Sequence, residues 1–219
     1  MDWQYVVNAI PKFIDATLLT LYLAGAGIIF SLIIGIICAV LLVYPVRVLS
    51  RITKAYIEIS RNTPLLIQIF FLYFGVAKLG IKLDSITCAI ISLAFLGGSY
   101  MAEAFRGGLL AVSKGQIESA LSIGLTPFQV FRYVIFPQAF AVAIPAIGAN
   151  CLFLIKETSI VSAIAITELM FLAKEIIGMD YKTNEALFLL MLFYLIVLLP
   201  LSIFVRYLEK RQRRASYGV

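Results

Sequence analysis

Lys156 and Glu157 stand side by side between two apolar runs, where an ionisable group is costly unless it faces a protein interior or a water-filled cavity. Neighbours on a helix point about 100° apart, so the two cannot simply neutralise each other. Each needs a partner on another segment, and together they either line a polar path or lock their helix to its neighbours. Asn150, Cys151, Thr158 and Ser159 share the same stretch, 138–173, which is too long for one straight span and can bend at Pro145 and Gly148. Gln68, with Arg61 and Thr63 at the start of another apolar run, completes the polar set. Other chemistries are missing. The chain has no histidine, which removes Ser-His-Asp and Cys-His catalysis and most zinc sites. Cys38, Cys88 and Cys151 lie singly in apolar runs and read as small packed residues, with no metal or disulfide spacing. There is no G-x-x-x-x-G-K-[ST] phosphate loop, so no ATP is expected on this chain. An intramembrane enzyme built on Glu103 or Lys156 lacks a nucleophile beside a positioned base.

The elements that must hold these groups are membrane helices. Apolar residues make up 62% of the 219, charged residues only 14%, and mean hydropathy is +1.01. A soluble core could not hide that much apolar surface. Uncharged stretches at 16–44, 62–77, 85–102, 133–155 and 186–205 predict five transmembrane helices in an all-α, polytopic membrane protein. The first is too long for a signal peptide and follows Asp2 and Asp15, so it is expected to stay in the mature chain. With five spans, twelve Lys and Arg fall in loops on one side and five on the other, with Lys156 the last of the 18. That asymmetry places the N-terminus outside and the C-terminus in the cytoplasm. The net charge of +6 therefore reports topology and calls for no nucleic acid, and Lys210–Arg214 reads as an anchor for the last span. Gly27, Ser31 and Gly35 line one helix face and predict close intramolecular packing. Glu168 reads as a solvated residue near the outer surface. The whole of 1–219 reads as one domain.

The connection at about 106–137 is too long and too punctuated for a plain connector. Gly107-Gly108 is expected to end the preceding helix, and a short helix over 114–123 to close at Gly124. Thr126-Pro127 then caps a second helix, with Phe128, Phe131 and Ile135 on one face. Phe136 precedes Pro137, so this second helix is expected to stop there. Two short helices meeting at a sharp corner would suit docking into a groove on another protein.

This loop resembles the coupling motif of permease subunits in binding-protein-dependent ATP-binding-cassette importers. The family pattern is Glu-Ala-Ala, three residues, Gly, nine residues, then Ile-x-Leu-Pro. Glu118-Ser119-Ala120, Gly124 and Val134-Ile135-Phe136-Pro137 keep its spacing throughout, with Ser119, Val134 and Phe136 as departures. Tyr100-Met101-Ala102-Glu103, Phe105-Arg106-Gly107-Gly108, Gly115-Gln116, Pro137-Gln138-Ala139 and Lys156-Glu157-Thr158-Ser159 are similar to polar amino acid permeases. So is Arg61-Asn62-Thr63-Pro64-Leu65-Leu66, where the family more often has Gly at Asn62.

The resemblance implies a plasma-membrane subunit that pairs with a second permease, as a homodimer or with a sister chain. It implies an ATPase subunit carrying ATP and magnesium, a solute-binding protein outside, and a polar amino acid moved by alternating access. Glu118, Ser119, Ala120, Gly124, Phe128, Phe131 and Pro137 would then form the ATPase-coupling surface. Arg61, Thr63, Gln68, Asn150, Cys151, Lys156, Glu157, Thr158 and Ser159 would line the substrate pathway. Some relatives for cationic amino acids carry an acid where this chain has Cys151, which turns the expectation away from arginine, lysine or histidine. The alternatives are a permease for another zwitterion such as betaine, or a self-contained channel or carrier. The docking loop argues against the last.

Overall fold

The computed structural model describes residues 1–44 and 46–217, with side chains described through Arg211. Every element it describes is helical: α1 (Trp3–Val43), α2 (Arg47–Asn62), α3 (Leu65–Lys78), α4 (Ser85–Ala111), α5 (Lys114–Ser122), α6 (Pro127–Ile164), α7 (Leu169–Met179) and α8 (Thr183–Tyr217). The side chains of Arg213 and Arg214, counted with the basic tail, lie outside the described residues.

Four helices, α1, α4, α6 and α8, are long and apolar enough to cross a membrane. The second of the five expected spans, 62–77, is occupied by α3, which is too short to be among these four. An amphipathic α2 stops at Asn62, the extended Thr63-Pro64 pair turns the chain, and α3 follows. Apolar α3 is short, about 21 Å at 1.5 Å per residue, against a hydrocarbon core of about 30 Å.

α4 is the central helix, with α1 against one side and α6 against another. The small-residue stripe of α1 serves this contact. Ser31 Oγ donates to the Leu93 carbonyl at 3.3 Å. A Cβ on Gly35 would stand 2.5 Å from that of Met101, and one on Gly97 would stand 2.2 Å from Ser31 Oγ. Without a hydrophobic driving force between helices in lipid, such close backbone approach supplies the packing. The stripe thus works inside the subunit. α2 joins the same helix through hydroxyls: Tyr56 and Ser60 both donate to the Phe95 carbonyl, at 2.6 and 2.9 Å. Phe95 lies near the middle of α4, so the end of α2 reaches mid-span depth.

Three local expectations are corrected. α4 does not end at Gly107-Gly108 but continues to Ala111. Gly108 is needed for proximity instead, since a Cβ there would stand 2.3 Å from the Ala139 carbonyl oxygen. Nor does the chain stop before Pro137: a π-helical turn over Phe131–Ile135 leads directly into Phe136–Glu157. The wider turn accommodates the proline ring and its missing N–H, so one helix runs on. Third, Glu168 is fully buried. Its carboxylate caps α7, accepting from Phe171 N at 2.8 Å and Met170 N at 3.0 Å.

The 138–173 stretch does break as its length requires. α6 tightens into a 3-10 turn over Thr158–Ile164 and ends at Ala165, whose φ is 58°. α7 then packs on the first turns of α1 and α8 around Phe13, Leu169 and Leu189. The N-terminus is tied to the same end by Lys182 Nζ to Asp2 at 2.9 Å and by the Met1 amine to Glu185 at 3.9 Å.

Candidate functional site

The knuckle between α4 and α6 is built by local rules. Ser113 caps α5, accepting from Gln116 N at 3.4 Å. At the other end Leu125 N donates to the Ala120 carbonyl (3.2 Å) and Gly124 N to that of Leu121 (3.0 Å), which closes the helix in a Schellman motif. Gly124 takes the left-handed conformation this needs, φ 86°. The next helix opens with a full capping box, Gln129 N to Thr126 Oγ1 and Thr126 N to Gln129 Oε1, with Pro127 in the first turn. A small core of Val112, Ala120, Val130, Ile135 and Ala139 holds both helices together.

This core sorts the expected coupling residues. Glu118, Ser119, Gly124, Phe131 and Pro137 are exposed, and Phe128 is 76% exposed. Ala120 and Ile135 point inward, so they brace the knuckle and present nothing to a partner. Ile123, 79% exposed beside Gly124, joins the outer surface, and the sequence reading passed over it.

The second constellation is a pocket of 290 Å³ where α2, α4 and α6 converge. Its polar lining comes from Arg61, Asn62, Thr63, Tyr100 and Glu157, its apolar lining from residues that include Leu96 and Phe153. Arg61 stacks on Tyr100, guanidinium carbon 5.1 Å from the ring centroid, and Tyr100 packs on Phe153 with centroids 5.3 Å apart. Cation–π stacking fixes the guanidinium yet leaves its N–H groups free to bind. Among the described residues, neither Arg61 nor Glu157 is in an ion pair. A positive and a negative group therefore share one pocket without neutralising each other.

The other expected pathway residues divide. Lys156 is exposed and does not line this pocket, so the adjacent charges separate onto different faces. Gln68 works at the α2–α3 break, its amide donating to the Ser60 and Thr63 carbonyls at 3.0 and 3.1 Å. These are the carbonyls a helix end leaves without partners. Thr158 is buried and donates to the Ile155 carbonyl at 2.7 Å. Asn150, Cys151 and Ser159 are half-buried and outside the pocket lining, and Cys151 packs on the central core. Tyr100 and Phe153 were missed as site residues, because only the fold brings them beside Arg61. Among the described residues no cluster of three Cys, Asp or Glu could hold a metal ion.

Residues 31–214 match a family described as the binding-protein-dependent transport system inner membrane component. The chain belongs to this family. It is 35% identical over 206 residues to the probable amino-acid permease protein YxeN of Bacillus subtilis (strain 168), covering 93% of this chain and 92% of that one. The glutamine transport system permease protein GlnP of Escherichia coli (strain K12) is 32% identical over 214 residues, 97% of this chain and 98% of its own. A solved amino acid ABC transporter, crystallised with histidines, superposes with a TM-score of 0.89 at 31% identity, over 96% of this chain and 99% of that one. This inner membrane component is thus a multi-pass membrane protein and part of a transport system.

Proposed function

We propose that the chain is the translocating subunit of an ATP-driven importer for a neutral polar amino acid. The observation that carries this reading is the pocket shared by unpaired Arg61 and Glu157. An amino acid brings a carboxylate and an ammonium, and both must be matched in a low-dielectric path. Arg61 receives the carboxylate and Glu157 the ammonium. Among the described residues Glu157 is the one acidic side chain lining this pocket, so a cationic side chain would go unmatched within it. The relatives named for amino acid and glutamine transport support the same cargo class.

In the membrane, α2 and α3 act in series as one crossing broken at Thr63-Pro64, which gives five crossings with the N-terminus outside. Broken helices near mid-span supply polar groups to cargo in transporters, and here the break begins two residues after Arg61. A second subunit, a solute-binding protein outside, and a separate ATPase docked on Glu118, Ile123, Phe128 and Phe131 complete the importer. ATP binding on the ATPase moves the knuckle and turns the pathway outward, and hydrolysis returns it. One second reading has an observation of its own: the Tyr100–Phe153 ring pair would also suit the quaternary ammonium of betaine.

The test is uptake by the complete transporter in proteoliposomes, with a panel of labelled amino acids and betaine. Arg61→Gln and Glu157→Gln are each expected to raise the half-saturating concentration about tenfold or more, the loss of one charge-assisted contact. Preferred uptake of betaine would favour the second reading. Unchanged half-saturation in both variants would remove the pocket from the pathway.

A further inference from the structure

The charges of α2 continue beyond the pocket. Arg51, Lys54, Glu58, Arg61 and Asn62 recur at spacings of three and four, so they form one helix face, and all five are exposed. A second face, Ser50, Thr53, Ile57 and Ser60, is buried against the protein. A third, Val48, Ile52 and Ile59, is apolar and exposed. The helix therefore presents three different surfaces to three different surroundings.

Depth decides what the charged face meets. α2 begins beside the end of α1, where Ser50 Oγ donates to the Leu41 carbonyl at 2.7 Å, and ends beside the middle of α4. The charges thus climb from the membrane edge to mid-span. Hydrocarbon cannot solvate them there, and the apolar third face is the one suited to lipid. Among the described residues no ion pair includes any of them, and Glu58 is held only by Asn62 Nδ2 at 3.1 Å. They remain open to water and solute. A second 280 Å³ pocket, lined by Ile57, Glu58, Arg61, Asn62 and Tyr100, begins at the first and extends toward this face.

We propose that the charged face of α2 is the release track, along which a zwitterion leaves the Arg61–Glu157 pocket for the cytoplasm. The inference rests on the pocket reading above. Glu58, one turn below Arg61, takes the ammonium as it leaves Glu157. Lys54 and then Arg51 take the carboxylate, the first about 10 Å below Arg61 along the helix axis. A row of weak sites, each partly hydrated, lets the solute leave without a deep well. Anionic lipid headgroups are the competing partner for the residues nearest the membrane edge, and lipid composition separates the two.

The experiment uses the complete transporter in inside-out proteoliposomes, with Cys38, Cys88 and Cys151 replaced. Single cysteines at Arg51, Lys54, Ile52 and Ile59 are exposed to a membrane-impermeant thiol reagent. Arg51→Cys and Lys54→Cys should react, and react about tenfold more slowly once the ATPase is trapped with ATP and vanadate, as expected of a water path that closes. Ile52→Cys and Ile59→Cys should stay unreactive. Equal reaction on both faces, or none at positions 51 and 54, overturns the track. Uptake is read in parallel. Lys54→Gln should lower the maximal rate about fivefold with half-saturation unchanged, from loss of one partly hydrated charge contact. A loss seen only in vesicles rich in anionic lipid overturns the track in favour of headgroup binding. If Lys54→Gln has no effect while Arg61→Gln still weakens uptake, the track fails and the pocket stands.

Discussion

Gly124 offers a graded test of whether the knuckle must be rigid to couple. Its φ of 86° is open to glycine and tolerable for asparagine, but a poor fit for other residues. A Cβ at this position would meet nothing within 4 Å, so the cost of a side chain is conformational and not steric. Gly124→Asn should be nearly neutral. Gly124→Ala should cost the left-handed penalty, about 1–2 kcal/mol. Gly124→Pro cannot reach this φ and removes the N–H that donates to the Leu121 carbonyl, so about 3 kcal/mol or more is lost at the corner. The loss stays local, because the central helices α1, α4 and α6 pack without Gly124. All three variants should therefore insert and purify. The assay is ATP hydrolysis and solute uptake measured together on the reconstituted transporter. Solute moved per ATP should fall in the order Asn, Ala, Pro, with proline hydrolysing ATP while transporting little. Normal uptake in Gly124→Pro, or asparagine as damaging as proline, would refute a coupling role for the corner.

Other substitutions probe the frame. Gly97→Val should prevent α1, α4 and α6 from packing, because even a Cβ would stand 2.2 Å from Ser31 Oγ and 2.6 Å from Leu154 Cδ1; detergent-solubilised protein should elute as aggregate, and a normal elution profile would contradict the packing. Burial raises the Glu168 carboxyl from about 4.5 to about 7. A carboxyl raised on folding binds its proton more tightly in the folded state, so stability rises as pH falls from 7 to 4.5 and is flat above 7, by at most about 3 kcal/mol. Thermal unfolding in detergent at pH 8 and pH 5 should show this gain in the parent and not in Glu168→Gln. Gln129→Ala removes one arm of the capping box and should cost about 1 kcal/mol, read as faster proteolysis within the knuckle with the spans intact.

The features legible in the sequence are those that short-range physics decides. Gly124, Thr126 and Pro127 define a corner whose hydrogen bonds all close within five residues, so spacing alone reveals it. The Gly27–Ser31–Gly35 stripe shows that something packs closely, though not that α4 does. Local rules fail where tertiary structure offers another solution. A proline after Phe136 argues for a stop, but the π turn over Phe131–Ile135 lets the helix pass. Glu168 precedes an apolar run and looks solvated. It is covered by residues far away in sequence, with Thr20 accepting from the neighbouring Leu169 N at 3.3 Å. Lys156 and Glu157 drew notice as a pair, yet only Glu157 turns to the pocket, since the face each residue presents depends on where α2 and α4 lie.

The path from knuckle to pocket follows from the lengths of two helices. α6 carries Phe128 and Phe131 near one end and Phe153 and Glu157 near the other, about 40 Å apart at 1.5 Å per residue. α4 enters the knuckle at Ala111 and carries Tyr100 and Leu96 on the pocket wall. The two are joined at the knuckle and packed along their length, with Gly108 against the Ala139 carbonyl. Arg61 belongs to α2, which reaches α4 through hydroxyl contacts near Phe95 and is not part of the knuckle. A tilt imposed at the knuckle would therefore reach Glu157 through α6 and Tyr100 through α4, with Arg61 following α4 through the hydroxyl contacts and its stack on Tyr100. On the function proposed above, the distance between the groups assigned to carboxylate and ammonium would be the variable that ATP controls. A zwitterion would then be gripped at one setting and released at another, without any change in the residues proposed to bind it.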